Sequence, residues 1–123
     1  MTFVIVGLPP TVNATRRMFH FRRAVEAAEW REQARLVGRA TWGDRPPVDP
    51  ADLIFEFVVP DHRIRDIDGL VGAAKPLIDG LVDAGVLVGD DTRHVRSLHA
   101  TCRLVPGVRE VRITVRAATE DTA

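Results

Sequence analysis

The chain has 123 residues, with 17 lysines and arginines against 17 aspartates and glutamates, so its formal net charge is zero. That length fits one domain of roughly 100–200 residues, and 46% hydrophobic with 28% charged residues is a globular balance that excludes a disordered chain. No apolar run approaches the roughly 18 residues of a membrane span, and residues 1–8 are too short for a signal peptide. The lone Cys102 can form neither an internal disulfide nor a zinc cluster, so a reducing cytoplasm is the expected compartment. The balanced charge also weighs against the simplest kind of nucleic-acid binder, which would be clearly basic.

Phe3-Val4-Ile5-Val6 is a short β-type run that stops at Gly7-Leu8-Pro9-Pro10. The next ten residues are polar and basic, with Asn13, Arg16 and Arg17 followed by Arg22 and Arg23. Ala27, Trp30, Ala34 and Val37 recur at helical spacing, and Gly38 followed by Gly43-Asp44-Arg45-Pro46-Pro47 is expected to end that helix. Leu53, Phe55, Phe57 and Val59 alternate with a second face that is also mostly apolar, the pattern of a central strand.

After Pro60 comes the charged run Asp61-His62-Arg63-Ile64-Arg65-Asp66-Ile67-Asp68. Leu70, Ala74, Leu77, Ile78 and Leu81 then take up helical spacing. Pro76 has no amide hydrogen to give that helix, which predicts a kink or restart there. Ala84-Gly85 reads as its end and Gly89-Asp90-Asp91-Thr92 as a turn. Leu98, Ala100, Cys102 and Leu104 alternate with His99, Thr101 and Arg103. Beyond Pro106-Gly107, Val111, Ile113 and Val115 alternate with Arg112, Thr114 and Arg116. The two runs around a short turn predict an antiparallel hairpin with a dry and a basic face. The expected fold is a single α+β domain over residues 1–123, in the order β-α-β-α-β-β, with a mixed sheet, packed helices and a frayed tail from 117.

The chemistry concentrates in the acids. In an extended segment residues two apart point the same way, so Asp66 and Asp68 can address one point. Asp90 and Asp91 sit on the turn after the helix, where the chain can return toward them. Carboxylates brought together repel unless a cation lies among them, and hard oxygen ligands suit Mg²⁺ or Mn²⁺. The competing reading is solvated loop aspartates, with Asp68 as a helix N-cap. Arg63 and Arg65, alternating just before Asp66, place phosphate-holding cations beside metal-holding acids, which favours a nuclease site. Lys75 is the only lysine in the chain and lies seven residues past Asp68, two helical turns on and so on a related face. From there its ammonium could stabilise a phosphate under attack; the alternative is an exposed helix lysine.

The ordered set Arg63-Ile64-Arg65-Asp66-Ile67-Asp68-Gly69-Leu70, Lys75, Asp79, Leu81, Ala84-Gly85-Val86 and Asp90-Asp91 resembles the RusA family of Holliday junction resolvases, commonly encoded by phages and prophages. Pro9-Pro10-Thr11-Val12-Asn13 is similar to that family's N-terminal signature, and the likeness runs from about Leu8 to Val105. It implies a homodimeric, Mg²⁺-dependent endonuclease that resolves four-way DNA junctions by paired nicks, in DNA recombination and repair. It also implies that Asp66, Asp68 and Asp91 bind the metal with Asp90 beside them, and that Lys75 is the family lysine. Arg63, Arg65, Arg16, Arg17 and Asn13 are the candidate DNA contacts. Three departures stand out: Gly69 occupies a position where the family usually has Asn, Lys75 follows Asp68 by seven residues rather than four, and the Asp-Asp pair is displaced by one residue relative to Val95. The last leaves Asp90 against Asp91 open. The first two motivate an alternative, a junction-binding module that no longer cuts.

Among the remaining candidates, His94 and His99 are five apart and fall on opposite faces of a strand, a poor metal pair. Cys102 alternates with apolar residues and is expected in the core. Trp30 fits the apolar helix stripe, while Trp42 in the loop is open as a stacking platform for an unpaired base.

Overall fold

A computed structural model describes residues 1–11, 14 and 19–119. In chain order the described elements are β1 (Thr2–Val6), α1 (His20–Trp42), β2 (Ala51–Val59), α2 (Ile67–Ala73), α3 (Lys75–Asp83), β3 (Val95–Leu104) and β4 (Glu110–Ala117). They form an α+β domain around one four-stranded mixed sheet, in the order β1-β4-β2-β3. No described helix is long and apolar enough to cross a membrane.

β2 has a neighbour on both sides, β3 parallel and β4 antiparallel, which is what its two apolar faces require. Leu53, Phe55 and Phe57 are fully buried, as are Val111 and Ile113 beside them on β4 and Ile5 on β1. The helices close over this face with Leu70, Leu77 and Leu81. By the usual scale each such side chain contributes about 1.5–3 kcal/mol relative to exposure, so the sheet–helix interface dominates the stability of the domain.

The expected hairpin does not form. β3 and β4 are consecutive, yet β2 lies between them. The link is five residues long and passes over the end of β2, where the Val105 amide donates to the Val59 carbonyl at 2.9 Å and the Gly107 amide to Pro60 at 3.3 Å. The Pro-Gly turn is therefore a bridge across one strand. Inserting β4 between β1 and β2 buries Val111, Ile113 and Val115 and leaves β3 at the edge, with Cys102 exposed rather than in the core.

The break in the second helical region falls where Pro76 requires it, with Ala74 separating α2 from α3. α1, in contrast, does not stop at Gly38. Gly38 and Gly80 are buried where α1 crosses α3. A Cβ on Gly38 would lie 2.7 Å from the Ala84 Cβ, and one on Gly80 only 2.3 Å from the backbone oxygen of Arg31. Glycine here serves close helix approach, and the helix continues to Trp42 because packing outweighs the propensity cost of about 1 kcal/mol. The Arg31 guanidinium ties the same crossing together, donating to both Asp83 carboxylate oxygens at 2.6 and 2.8 Å.

Trp30 is half-buried, its ring against Gly7 and its indole N–H donating to Glu26. Trp42 is not a free stacking platform: its ring lies 6.4 Å from Phe3, Arg45 sits 5.5 Å above it, and its N–H donates to the carbonyls of Arg45 and Pro46.

Candidate active site

Because β2 and β3 run parallel, with Ala51 beside Val95 and Val59 beside Leu104, the loop after β2 and the turn before β3 leave from opposite ends of the strand pair. α2 and α3 make the crossover between them. Asp66 caps the N-terminus of α2 in extended conformation, but its side chain makes no capping hydrogen bond. Asp68 lies in the first turn of the same helix. Both residues are exposed, and neither carboxylate has a partner among the described residues. The N-cap reading of Asp68 therefore does not hold: the cap position belongs to Asp66, and its oxygens are not used for it.

Lys75 opens α3. Residues beyond Gly85 return along the helix, so the Lys75 ammonium donates to Asp79 at 2.8 Å, one turn on, and to Asp90, fifteen residues on. The paired carboxylates, Asp79 first and Asp90 second, raise the Lys75 pKa, and the ammonium in turn holds Asp90 below the ordinary carboxylate range. Asp91 turns the other way. Its carboxylate accepts from the Arg93 guanidinium at 2.8 and 3.1 Å and from the Arg93 amide at 2.9 Å, and the guanidinium and then the amide lower its pKa to about 2. Asp79 is a motif residue to which the sequence reading assigns no role; its i, i+4 spacing from Lys75 is the signal that could have found the contact.

The turn is fixed from behind by a residue pair that the sequence did not single out. His94 Nδ1 lies 2.8 Å from an Asp49 carboxylate oxygen, the His94 amide donates to the Asp91 carbonyl, and the imidazole packs on Gly89. Asp49 and His94 are 45 residues apart, so only the parallel pairing of β2 and β3 brings them together.

In the loop after β2, Arg65 is folded inward. Its guanidinium donates to the Asp61 and Arg63 carbonyls and to the Asp61 carboxylate at 2.9 Å, leaving the side chain 16% exposed. The Arg63 amide and then Arg65 depress the Asp61 pKa. Arg65 thus shapes the loop, while Arg63, 79% exposed, keeps only a loose 3.8 Å contact with Asp61 that an approaching anion could replace. Asn13, Arg16 and Arg17 lie outside the described residues. On the uncovered face of the sheet, Arg103 lies 3.6 Å from Glu56 and Arg112 2.7 Å from Glu110, so the expected basic face is largely neutralised.

Asp66 and Asp68 offer the donors a hard cation takes, exposed carboxylates without a partner among the described residues. The helix begins between them, however, so the shared direction expected of an extended segment does not hold. Mg²⁺ commonly binds through one or two carboxylates and completes its shell with water and substrate phosphates, so this pair fits it. Among the described residues, no three acidic, histidine or cysteine side chains gather closely enough to enclose a metal; Asp90 and Asp91 are held by Lys75 and Arg93. No model of a known protein family matches this chain, and no curated protein matches it either.

Proposed function

We propose that the chain is a Mg²⁺-dependent, structure-selective endonuclease that acts on branched DNA, four-way junctions above all, as a homodimer in the cytoplasm. The observation that carries this reading is the Lys75–Asp90 ion pair. These two members of the sequence motif, fifteen residues apart, meet in space, which supports reading the lysine and the acidic turn as parts of one site.

Asp66 and Asp68 would hold Mg²⁺, with water and substrate phosphate completing its shell, while Asp91, the third carboxylate that the resemblance implies, is held by Arg93. When bound, Mg²⁺ supplies charge stabilisation to a phosphodiester under attack and makes a water more acidic. Asp79 and Asp90 keep Lys75 protonated and hold its ammonium beside the acidic turn, where it can pair with developing negative charge on a phosphate oxygen. Arg63 holds the incoming phosphate backbone. Asn13, Arg16 and Arg17 extend that contact along the strand.

Asp68→Asn keeps size and shape and removes one anionic ligand. On a synthetic four-way junction it is expected to lower cleavage by about 10²-fold or more while leaving junction binding intact. Cleavage at the wild-type rate would refute the assignment. A second reading, a junction-binding module that does not cut, is favoured by the absence of a three-acid cluster among the described residues. The same assay separates the two, because such a module binds the junction and never nicks it.

A further inference from the structure

β3 is the edge of the sheet, paired only with β2. Its outer backbone groups over residues 95–104 meet no other described strand, and long open edges are usually shortened, covered or paired. Leu98, Ala100, Cys102 and Leu104 stand in register with Leu53, Phe55, Phe57 and Val59, so they continue the apolar face of the sheet. The helical layer covers them only in part: Ala100 packs on the core, while Leu98 is 36% and Leu104 38% exposed, and Cys102 is exposed. An apolar stripe and an unpaired ladder lie along the same strand.

We infer that this edge is the site of self-association, with β3 pairing antiparallel to β3 of a second copy about a two-fold axis at Thr101. Residues directly opposite in an antiparallel pair share a face, so the apolar pattern itself selects the register. Centring on Thr101 sets Leu98 against the partner's Leu104 and Ala100 against the partner's Cys102. All four apolar residues then meet apolar residues. Centring on Ala100 sets Leu104 against the partner's Arg96. Centring on His99 or Cys102 leaves Leu104 or Leu98 opposite residues outside the strand. The strand is thus complementary to itself, the requirement of an isologous contact. Its polar face gives a charged partner little to recognise, since Arg103 already meets Glu56 and Ser97 donates to Asp52.

The result is a continuous eight-stranded sheet. An axis perpendicular to the sheet leaves both helical layers, and so both Lys75–Asp90 surfaces, on the same side. This gives a structural form to the paired-site part of the proposed function and rests on that reading only for its consequence; the pairing itself involves no catalysis.

The test is a cysteine scan with Cys102 replaced by Ser, introducing His99→Cys, Thr101→Cys or Arg103→Cys one at a time. Each protein is oxidised mildly and read on a non-reducing gel, with its mass in solution measured by light scattering. A residue on the axis faces its own copy, with Cβ atoms about 4.5–5.5 Å apart, within disulfide reach. Its neighbours two positions away are separated by four residues along the pair, roughly 13 Å. Covalent dimer should therefore peak at position 101 and be at least tenfold weaker at 99 and 103. Leu98→Lys with Leu104→Lys should convert the dimer to a monomer of unchanged circular dichroism. A dimer that survives both lysines, or cross-linking that peaks elsewhere, overturns the interface while leaving a homodimer standing. A monomer at all concentrations overturns self-association itself and leaves the edge to another occupant. A monomer would remove the homodimer and the paired nicks from the proposed function but not Mg²⁺-dependent nicking itself, so the interface and the cleavage reading fail separately.

Discussion

At the residue scale, the domain distinguishes charges that are engaged from charges that are not. Arg65 is folded into its own loop, Arg31 is locked on Asp83, and Arg93 on Asp91. Asp66 and Asp68 have no partner among the described residues, and the exposed Arg63 makes only a long contact with Asp61, which is where a ligand can be met. The Arg31–Asp83 pair gives a pH prediction with a defined sign. The guanidinium, chiefly through its hydrogen bonds, lowers the Asp83 pKa below its ordinary 3.8 and raises that of Arg31. A depressed carboxylate stabilises the folded state above its unfolded pKa, and that contribution is lost as pH falls through the folded value. Asp83→Asn should therefore melt at a lower temperature than wild type at neutral pH, with the gap closing below pH 3.8. The effect is small, because both side chains are partly exposed and screened by solvent. Thermal melts at neutral and acid pH check it, and a gap that widens on acidification would contradict the pairing.

At the element scale, the α1–α3 crossing is the tightest joint in the molecule. Gly80→Ala would place its Cβ against the Arg31 backbone oxygen, which cannot rotate away as a side chain can. Forced separation of packed elements usually costs about 1–3 kcal/mol. Urea unfolding should show a loss of that order, with Gly43→Ala, whose Cβ position is open but whose φ is positive, as a comparison for backbone strain alone. Equal stability of Gly80→Ala and wild type would mean that the helices are not in contact as described.

The same joint explains what the sequence could and could not say. Periodicity located β1, β2 and the helix interrupted at Pro76, because those signals are local. Gly38 reads as a terminator in the sequence because its reason, the Ala84 methyl beneath it, lies 46 residues away. The apolar alternation in Leu98–Leu104 did align those residues with Leu53, Phe55, Phe57 and Val59, but the face it marks is not dry, since Leu98, Cys102 and Leu104 are exposed at the sheet edge. It could not reveal that β4 would leave for the far side of β2, since strand order is decided by which strand most needs two neighbours. At the candidate site, Lys75, Asp79 and Asp90 were all legible as motif members. Their mutual contact was not legible, and neither was the Asp49–His94 pair, whose members come together only through the parallel crossover.

At the scale of the whole molecule, the zero net charge hides a division between neutralised and available groups. On the sheet's polar face Arg103 and Arg112 meet Glu56 and Glu110, and at the helix crossing Arg31 meets Asp83. Asp66 and Asp68, without partners among the described residues, and the exposed, loosely paired Arg63 lie where α2 begins. A surface with exposed carboxylates repels DNA until a divalent cation joins them, so DNA affinity should depend on metal as well as on salt. The central claim is that this surface cuts branched DNA only with Mg²⁺, and the most direct measurement is a Mg²⁺ titration of cleavage on four-way junction, fork and linear duplex of matched sequence. The account predicts no nicking without metal, paired nicks in the junction as Mg²⁺ rises, and little or none in the duplex. Failure to cut the junction at any Mg²⁺ or Mn²⁺ concentration, or equal cutting of the duplex, would contradict it.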